Sequence, residues 1–287
     1  MRLPTVLVTG ARGQLGYELA QLLPAHGEVV ALDRSRLDLA DPDAIRSTVR
    51  TLRPRIIVNA AAYTAVDRAE EERELAFAIN ARAPEILAEE TRQLGAVLVQ
   101  YSTDYVFDGR ASTPYAEDAP TAPLNVYGKS KLAGEQAIAA SGCASLTLRT
   151  SWIYGLHGRN FLLTIRRLAA ERDELTVVAD QFGVPNWARA IAEVTARLIE
   201  LGPSYLAEHG GLYHLSGSGV ASWFEFARAI LGSAERPRLT AITTAQYPTP
   251  ARRPAYAVLA SAKFGQTFGF GLPDWRVMLR DCLAVPE

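Results

Sequence analysis

The stretch Thr5-Val6-Leu7-Val8-Thr9-Gly10-Ala11-Arg12-Gly13-Gln14-Leu15-Gly16 indicates the fold class most clearly. A short β-branched run stops at a glycine, and a G-x-x-G-x-x-G turn leads into a helical pattern from Tyr17 to Leu23. Strand, glycine turn and helix are the context in which a dinucleotide binds, because glycines let the backbone approach the pyrophosphate and the helix N-terminus supplies N–H groups. The turn residues predicted to bind a cofactor are Gly10, Arg12, Gly13, Gln14, Leu15 and Gly16.

The next strand leaves the choice of cofactor open. Val29-Val30-Ala31-Leu32 ends at Asp33, 20 residues beyond Gly13, where an acid binds the adenosine ribose hydroxyls. A carboxylate repels a 2′-phosphate and favours NAD, whereas Arg12 and Arg34 nearby could receive that phosphate. Asp38 and Leu39 could also lie against the adenine. The sequence therefore predicts NADH or NADPH without ranking them.

Strands and helices continue to alternate up to about residue 150. Further strands are predicted at 55–59, 97–101 and 145–149, with a helix from Pro42 to Leu52 behind an Asp41 cap. This alternation predicts a doubly wound parallel sheet, the Rossmann fold of the α/β class. Small residues after the third strand (Ala61 and Ala62, then Tyr63) would let a flat cofactor pass. A charged helix is predicted over 67–93, with a polar break at 80–83.

The second half of the chain has a different pattern, in which helices dominate and strands are short. We predict a dinucleotide-binding domain over residues 1–150, to which some later segments return. Residues 151–287 are predicted to form a smaller, mainly helical substrate domain that is discontinuous in sequence.

A candidate catalytic pair lies at Tyr127-x-x-x-Lys131. Residues four apart on a helix share a face, and an ammonium beside a phenol should lower the tyrosine pKa from about 10 towards neutrality. Tyr127 is thus a plausible proton donor. Thr103 is predicted just past the end of a buried strand, where open α/β sheets place their ligands.

Composition argues against several other classes of protein. The chain has 287 residues and a net charge of −1, so no general field attracts nucleic acid or an anionic membrane. Cys143 and Cys282 have neither metal-ligand nor disulfide spacing, and we predict no metal site. The N-terminus, from Met1 onward, has no signal-peptide pattern, and no apolar run reaches the roughly 20 residues of a membrane helix. We expect a cytoplasmic protein.

Several blocks together resemble the extended short-chain dehydrogenase/reductases over nearly the whole chain. They are the glycine turn, Asn59-Ala60-Ala61-Ala62-Tyr63-Thr64, Ser102-Thr103-Asp104-Tyr105-Val106-Phe107-Asp108-Gly109 and Tyr127-x-x-x-Lys131. The blocks 149–155 and 180–185 are similar to those of the dTDP-4-dehydrorhamnose reductase subfamily. The resemblance implies reduction of the C4 ketone of dTDP-4-dehydro-L-rhamnose by NADH or NADPH.

The resemblance also implies roles for individual residues. Thr103 would bond the ketone oxygen, Tyr127 would donate the proton, and Lys131 would bind the nicotinamide ribose. The residues implied to contact the sugar nucleotide, besides Thr103, are Asp104, Tyr105, Trp152, Asn160, Gln181 and Arg253. Two positions depart from the family pattern, Asn186 and Ala257. Some relatives dimerise around magnesium, but Arg189 stands where one acid is expected, so no metal is predicted. A homodimer is still the expected assembly.

Other functions compete with this interpretation. A sugar-nucleotide 4,6-dehydratase of the same superfamily needs an Asp-Glu pair directly after the threonine, and here Asp104 is followed by Tyr105. Other oxidoreductases or epimerases of sugar nucleotides remain open. A non-catalytic cofactor-binding subunit, like the regulatory subunit of methionine adenosyltransferase, shares the fold. The intact set of Thr103, Tyr127 and Lys131 favours an enzyme.

Overall fold

The computed structural model describes residues 4–234 and 236–286. The prediction about a signal peptide concerns the N-terminus from residue 1 onward, and residues 1–3 lie outside the described residues. The strands are β1 Thr5–Thr9, β2 Glu28–Leu32, β3 Ile56–Asn59, β4 Val97–Thr103, β5 Ser145–Thr150, β6 Ile153–Tyr154, β7 Glu174–Val178, β8 Phe182–Gly183, β9 Asn186–Trp187, β10 Gly211–His214, β11 Ala221–Ser222 and β12 Arg238–Ile242. The α-helices are α1 Gln14–Leu22, α2 Pro42–Leu52, α3 Arg73–Phe77, α4 Ala83–Leu94, α5 Val126–Ser141, α6 Phe161–Glu171, α7 Ala188–Glu200, α8 Gly202–Glu208, α9 Trp223–Leu231, α10 Ala262–Phe268 and α11 Trp275–Leu283.

The central sheet has the strand order β10-β5-β4-β3-β1-β2, and each neighbouring pair is parallel. Successive side chains point to opposite faces, so Val6 and Val8 pack with α1 and α7 while Leu7 packs with α2 and α4. Both faces are therefore covered by helices, as parallel strands require. The predicted doubly wound parallel sheet is confirmed.

The second half of the chain contributes to two cores. Its strand β10 pairs with β5 at one edge of the central sheet. The remaining elements surround a separate apolar cluster that includes Tyr154, Leu162, Phe226 and Trp275. The predicted division at residue 150 stays a prediction.

The charged segment over 67–93 differs from the single helix predicted there. It consists of a 3₁₀ turn at Arg68–Glu70, α3, a π-helical turn at Ala78–Arg82 and α4. Asn80 is buried in the π turn, where its amide accepts from the backbone N–H of Tyr63 and donates to the Tyr63 carbonyl and to Ser130 Oγ. The break predicted at 80–83 thus takes the form of a π turn at Ala78–Arg82, in which the polar side chain turns inward and the helix widens around it.

Gly134 shows how closely α5 packs on this π turn. A Cβ at Gly134 would overlap the carbonyl oxygen of Asn80. Gly265 in α10 is a matched control, since it too is helical but has no neighbouring atom within 4 Å of the place that a Cβ would occupy.

We predict that Gly134→Ala lowers the free energy of unfolding by about 1–3 kcal/mol through overpacking. Gly265→Ala should raise it by up to about 1 kcal/mol, because alanine loses less backbone entropy in a helix. Urea denaturation measures both. An unaltered midpoint for Gly134→Ala would contradict the packing of α5 on the π turn.

Candidate functional site

A cavity of about 840 Å³ opens at the carboxyl ends of β1, β3, β4 and β5. It is lined by most of the residues predicted from the sequence to bind cofactor or substrate. They are Gly10, Arg12, Gly13, Gln14, Leu15, Asp33, Arg34, Asp38, Leu39, Ala61, Ala62, Tyr63, Thr103, Asp104, Tyr105, Tyr127, Lys131 and Trp152. The structure thus brings both predicted sets together in one site.

The glycine turn forms an open cradle at one end of the cavity. Gly10 has a φ of 72°, which favours glycine, and a Cβ on Gly16 would overlap the Gly10 carbonyl. Gly16 supports the turn in this way without lining the cavity itself. No side chain caps α1 and no acidic residue lies in its first turn, so its N-terminal N–H groups are free to face an anion. The turn fits a cofactor that carries a pyrophosphate.

The adenosine end of the cavity carries charges of both signs. The Asp33 carboxylate accepts from the backbone and hydroxyl of Ser35 and pairs with Arg12 at 2.7 Å. These contacts, with Ser35 first and Arg12 after it, hold the Asp33 pKa below its usual value. Arg34 lies 3.5 Å from Asp38. Both arginines are exposed, so each could turn towards a phosphate. The geometry is therefore compatible with either NADH or NADPH.

Tyr127 and Lys131 occupy the first turns of α5, which begins where Asn125 accepts from the Gly128 N–H. Both line the cavity, as residues on one helix face should. The predicted fall of the tyrosine pKa is wrong, because desolvation raises the pKa of Tyr127 to about 12, with Thr103 acting against this rise. Desolvation also lowers the pKa of Lys131 to about 8. The Lys131 ammonium donates to the Tyr101 carbonyl at 2.7 Å rather than to the phenol.

A row of buried hydrogen bonds links this lysine to the glycine turn. Thr9 Oγ1 donates to Asn59 Oδ1 at 2.5 Å, and Asn59 Nδ2 donates to Gln100 Oε1 at 2.7 Å. Gln100 Nε2 then donates to the Tyr101 carbonyl that also receives Lys131. Thr9, Asn59 and Gln100 are direct neighbours across β1, β3 and β4. The parallel register therefore joins the two ends of the site.

Thr103 is the last residue of β4, whereas the sequence placed it just past the end of that strand. Its hydroxyl donates to Asp104 Oδ1 at 3.0 Å. The other oxygen of Asp104 is buried without a partner. Burial raises the pKa of Asp104 to about 7. Tyr105 lies edge-on to Tyr127, with 5.5 Å between ring centroids. A ligand with hydroxyl donors would satisfy the free carboxyl oxygen.

Two tryptophans from the second half of the chain, Trp152 and Trp223, line the cavity. Trp152 stacks on Trp223, with 3.5 Å between centroids and 6° between planes. Trp152 holds a φ of 43°, a region that costs energy for a bulky residue and is common at functional sites. Sequence reasoning missed Trp223, Thr150 and Arg159, which also line the cavity. Only the position of Thr150, at the carboxyl end of a predicted strand, could have indicated such a role.

Comparison with known proteins assigns the family. The model of the family described as RmlD substrate binding domain matches residues 4–286. The chain belongs to this family. The dTDP-4-dehydrorhamnose reductase of Burkholderia thailandensis is 46% identical over 97% of each chain. That of Escherichia coli K12 is 43% identical over 97% of this chain and 96% of its own.

A solved structure gives the same result. The dTDP-4-dehydrorhamnose reductase of Bacillus anthracis in complex with NADP superimposes with a TM-score of 0.92, at 37% identity over 99% of each chain. The resemblance to this reductase family, predicted from the sequence blocks, is confirmed. A nicotinamide cofactor, predicted from the glycine turn, is also supported, with its preference still open.

Three residues that the family resemblance assigned to the substrate lie outside the cavity lining. Asn160 caps α6, accepting from the Leu163 N–H and donating to the Gly155 carbonyl. Gln181 is buried and donates to Thr244 Oγ1. Arg253 makes two bonds to Asp67, at 3.0 and 2.7 Å. Their contact with substrate stays a prediction.

The two residues that depart from the family pattern, Asn186 and Ala257, both make hydrogen bonds within the protein. The Asn186 amide donates to Ser151 O and Val184 O and accepts from the Gly217 N–H. It therefore supports the loop that carries Trp152. Ala257 is buried, and its N–H donates to the Phe182 carbonyl. Neither residue lines the cavity.

Within residues 4–234 and 236–286, no helix is long and apolar enough to cross a bilayer. The same residues contain no group of three acidic, histidine or cysteine side chains arranged to hold a metal ion.

The buried Asp104 should make stability depend on pH. Between about pH 4 and pH 7 the unfolded chain releases this proton while the folded chain keeps it, so the contribution of Asp104 to stability falls as pH rises. Asp104→Asn cannot titrate. Relative to the native protein, it should gain a few kcal/mol of unfolding free energy from pH 4 to pH 8. Urea unfolding at the two pH values measures this, and a difference independent of pH would contradict the raised pKa.

Proposed function

We propose that this protein reduces the C4 ketone of dTDP-4-dehydro-L-rhamnose to give dTDP-L-rhamnose, with NADH or NADPH as the hydride donor. This reaction is the last step of dTDP-rhamnose biosynthesis. One observation carries the proposal: Thr103, Tyr127 and Lys131 line the same cavity as the glycine turn, and the Thr103 hydroxyl lies against Tyr127. The names of the relatives, which cover nearly the whole chain, support the same reaction.

The nicotinamide supplies a hydride to the carbonyl carbon when it is bound. The protein must then stabilise and protonate the oxygen that gains negative charge. Tyr127, whose raised pKa keeps it protonated at any working pH, donates that proton from beside Thr103. Thr103 would bond the same oxygen. Lys131, held by the Tyr101 carbonyl, would reach the ribose hydroxyls.

The desolvated walls of the cavity strengthen these interactions. Water competes poorly for Lys131 and Asp104, which are 5% and 2% exposed. Asp104 and Tyr105 would contact the sugar, and the Trp152–Trp223 stack would bound it on the other side. The cradle at Gly10 and Gly13 would hold the pyrophosphate of the cofactor.

The competing functions have less support. A 4,6-dehydratase needs a glutamate directly after Asp104, and Tyr105 holds that position. The structure of the UDP-glucose 4-epimerase from Thermus thermophilus is 22% identical and shares only the fold. A homodimer and a cytoplasmic location remain predictions from the sequence.

The test is an absorbance assay with the purified protein, NADH or NADPH, and dTDP-4-dehydro-L-rhamnose made in situ. We expect cofactor oxidation that depends on the sugar nucleotide. Tyr127→Phe should reduce turnover by roughly 10²–10⁴-fold, as for the loss of a general acid, and leave cofactor affinity nearly unchanged. Tyr247→Phe is the control, since Tyr247 is exposed and outside the cavity. Cofactor binding without oxidation in the native protein would refute the reductase and favour a binding subunit.

The charges around Asp33 predict opposite effects on cofactor choice. Asp33→Asn removes a charge that repels a 2′-phosphate, and should shift the ratio of NADPH to NADH affinity upward by about tenfold. Arg12→Gln removes the cation beside it and should shift the same ratio downward. Fluorescence titration of both cofactors measures the ratio. A shift in the same direction for both variants would show that neither side chain faces the 2′ position.

A further inference from the structure

A buried ionic cluster lies behind the catalytic lysine. Glu135 is 8% exposed and Arg149 is 3% exposed. Arg149 makes two bonds to Glu135, Nε to Oε1 at 2.9 Å and Nη2 to Oε2 at 2.7 Å. Ser102, the residue before Thr103, donates its hydroxyl to the same carboxylate. The cluster therefore joins α5, β4 and β5 directly beneath the site.

Glu135 follows Lys131 by one helical turn on α5. Side chains at this spacing lie on the same helix face, so the carboxylate stands beside the lysine stem. The carboxylate that Arg149 binds therefore also lies near a second buried cation, Lys131, whose pKa its charge raises. The direct acceptor of Lys131 is a neutral carbonyl, that of Tyr101.

Other ionisable groups also lie near Lys131, on α5, β5 and β10 and just after β4. Tyr127 from α5 is neutral, and so is Tyr105 after β4, whose pKa burial raises. Asp104, also after β4, has a pKa raised to about 7 and is ionised where Lys131 titrates, but the charge that raises the Lys131 pKa is that of Glu135. From β5 comes Arg149, a second cation, with His214 of β10 behind it at 3.4 Å. Burial lowers the pKa of His214 to about 3, so it is neutral.

We propose that Glu135 is a positioning residue of the reductase: its carboxylate keeps Lys131 a charged ammonium and fixes Lys131 and the Ser102–Thr103 strand end in one arrangement. The proposal extends the proposed function, because only a protonated lysine presents an all-donor group to the cofactor ribose. Burial favours the neutral amine, and the charge of Glu135 opposes this effect.

The competing explanation is that the ion pair only stabilises the fold. A matched control separates the two. Glu90 on α4 is likewise a buried carboxylate, 1% exposed, and Arg50 makes two bonds to it at 2.8 and 2.6 Å. It does not line the cavity. Glu90→Gln should lose stability as Glu135→Gln does, but it should not affect Lys131.

The first readout does not depend on activity. The chain has three lysines, Lys129, Lys131 and Lys263, so protein labelled with ¹³C at the lysine Cε gives three signals by NMR. Lys129→Arg and Lys263→Arg assign two of them. We expect Lys131 to titrate near pH 8 in the native protein and about one pH unit or more lower in Glu135→Gln. Glu135→Asp, which keeps the charge, should restore most of the shift.

A second variant covers the case in which Glu135→Gln fails to fold. Glu135→Gln with Arg149→Met removes both buried charges together, so no guanidinium is left unpaired. Lys131 should then titrate lower than in Arg149→Met alone, which lacks the same guanidinium but keeps the carboxylate. The same Lys131 pKa in those two variants would overturn the proposal, as would a shift in Glu90→Gln equal to that in Glu135→Gln.

The second readout is the pH profile of kcat/KM, which reports the free enzyme. Activity that needs the ammonium is lost as pH rises through the Lys131 pKa. The alkaline limb should therefore move to lower pH in Glu135→Gln, by the shift seen in the NMR titration, and stay in place in Glu90→Gln. A limb that does not move would overturn the proposal. Absence of turnover in the native protein would count against the reductase itself, and the NMR titration would still decide the role of Glu135.

Discussion

Exclusion of water from the carboxyl ends of β4 and β5 is the constraint on which the chemistry of this site depends. Burial keeps Tyr127 protonated, weakens the hold of Lys131 on its proton, and raises the pKa of Asp104 to about 7. In water these groups would be a neutral phenol, a fixed ammonium and a fixed carboxylate. In the cavity the phenol holds its proton more firmly than it would in water, and the two charges depend on their neighbours.

The parallel sheet makes this environment possible by placing polar residues in line across its centre. Thr9, Asn59 and Gln100 would each be costly to bury alone, but in register each satisfies the next. The row ends on the carbonyl that holds Lys131, while Thr9 ends the strand that begins the cofactor turn. The strand register thus places the glycine turn, which is predicted to bind the cofactor, in line with Lys131.

Local patterns predicted the parts of this arrangement that depend on short sequence spacing. The glycine turn, the Asp41 cap of α2 and the shared face of Tyr127 and Lys131 all follow from neighbouring residues. The π turn at Asn80 and the stack of Trp152 on Trp223 could not be predicted, because their partners are distant in sequence. The tyrosine pKa was predicted in the wrong direction, since proximity on a helix says nothing about burial.

Hydride delivery to a sugar carbon beside Tyr127 is the step on which the proposed mechanism rests. It can be followed with NADPH and NADH that carry deuterium at the transferable C4 position, by NMR of the sugar-nucleotide product. We expect one deuterium, bonded to C4 of the rhamnose, and a hydroxyl proton taken from the protein and solvent. Product without deuterium at C4, or deuterium at another sugar carbon, would contradict this mechanism.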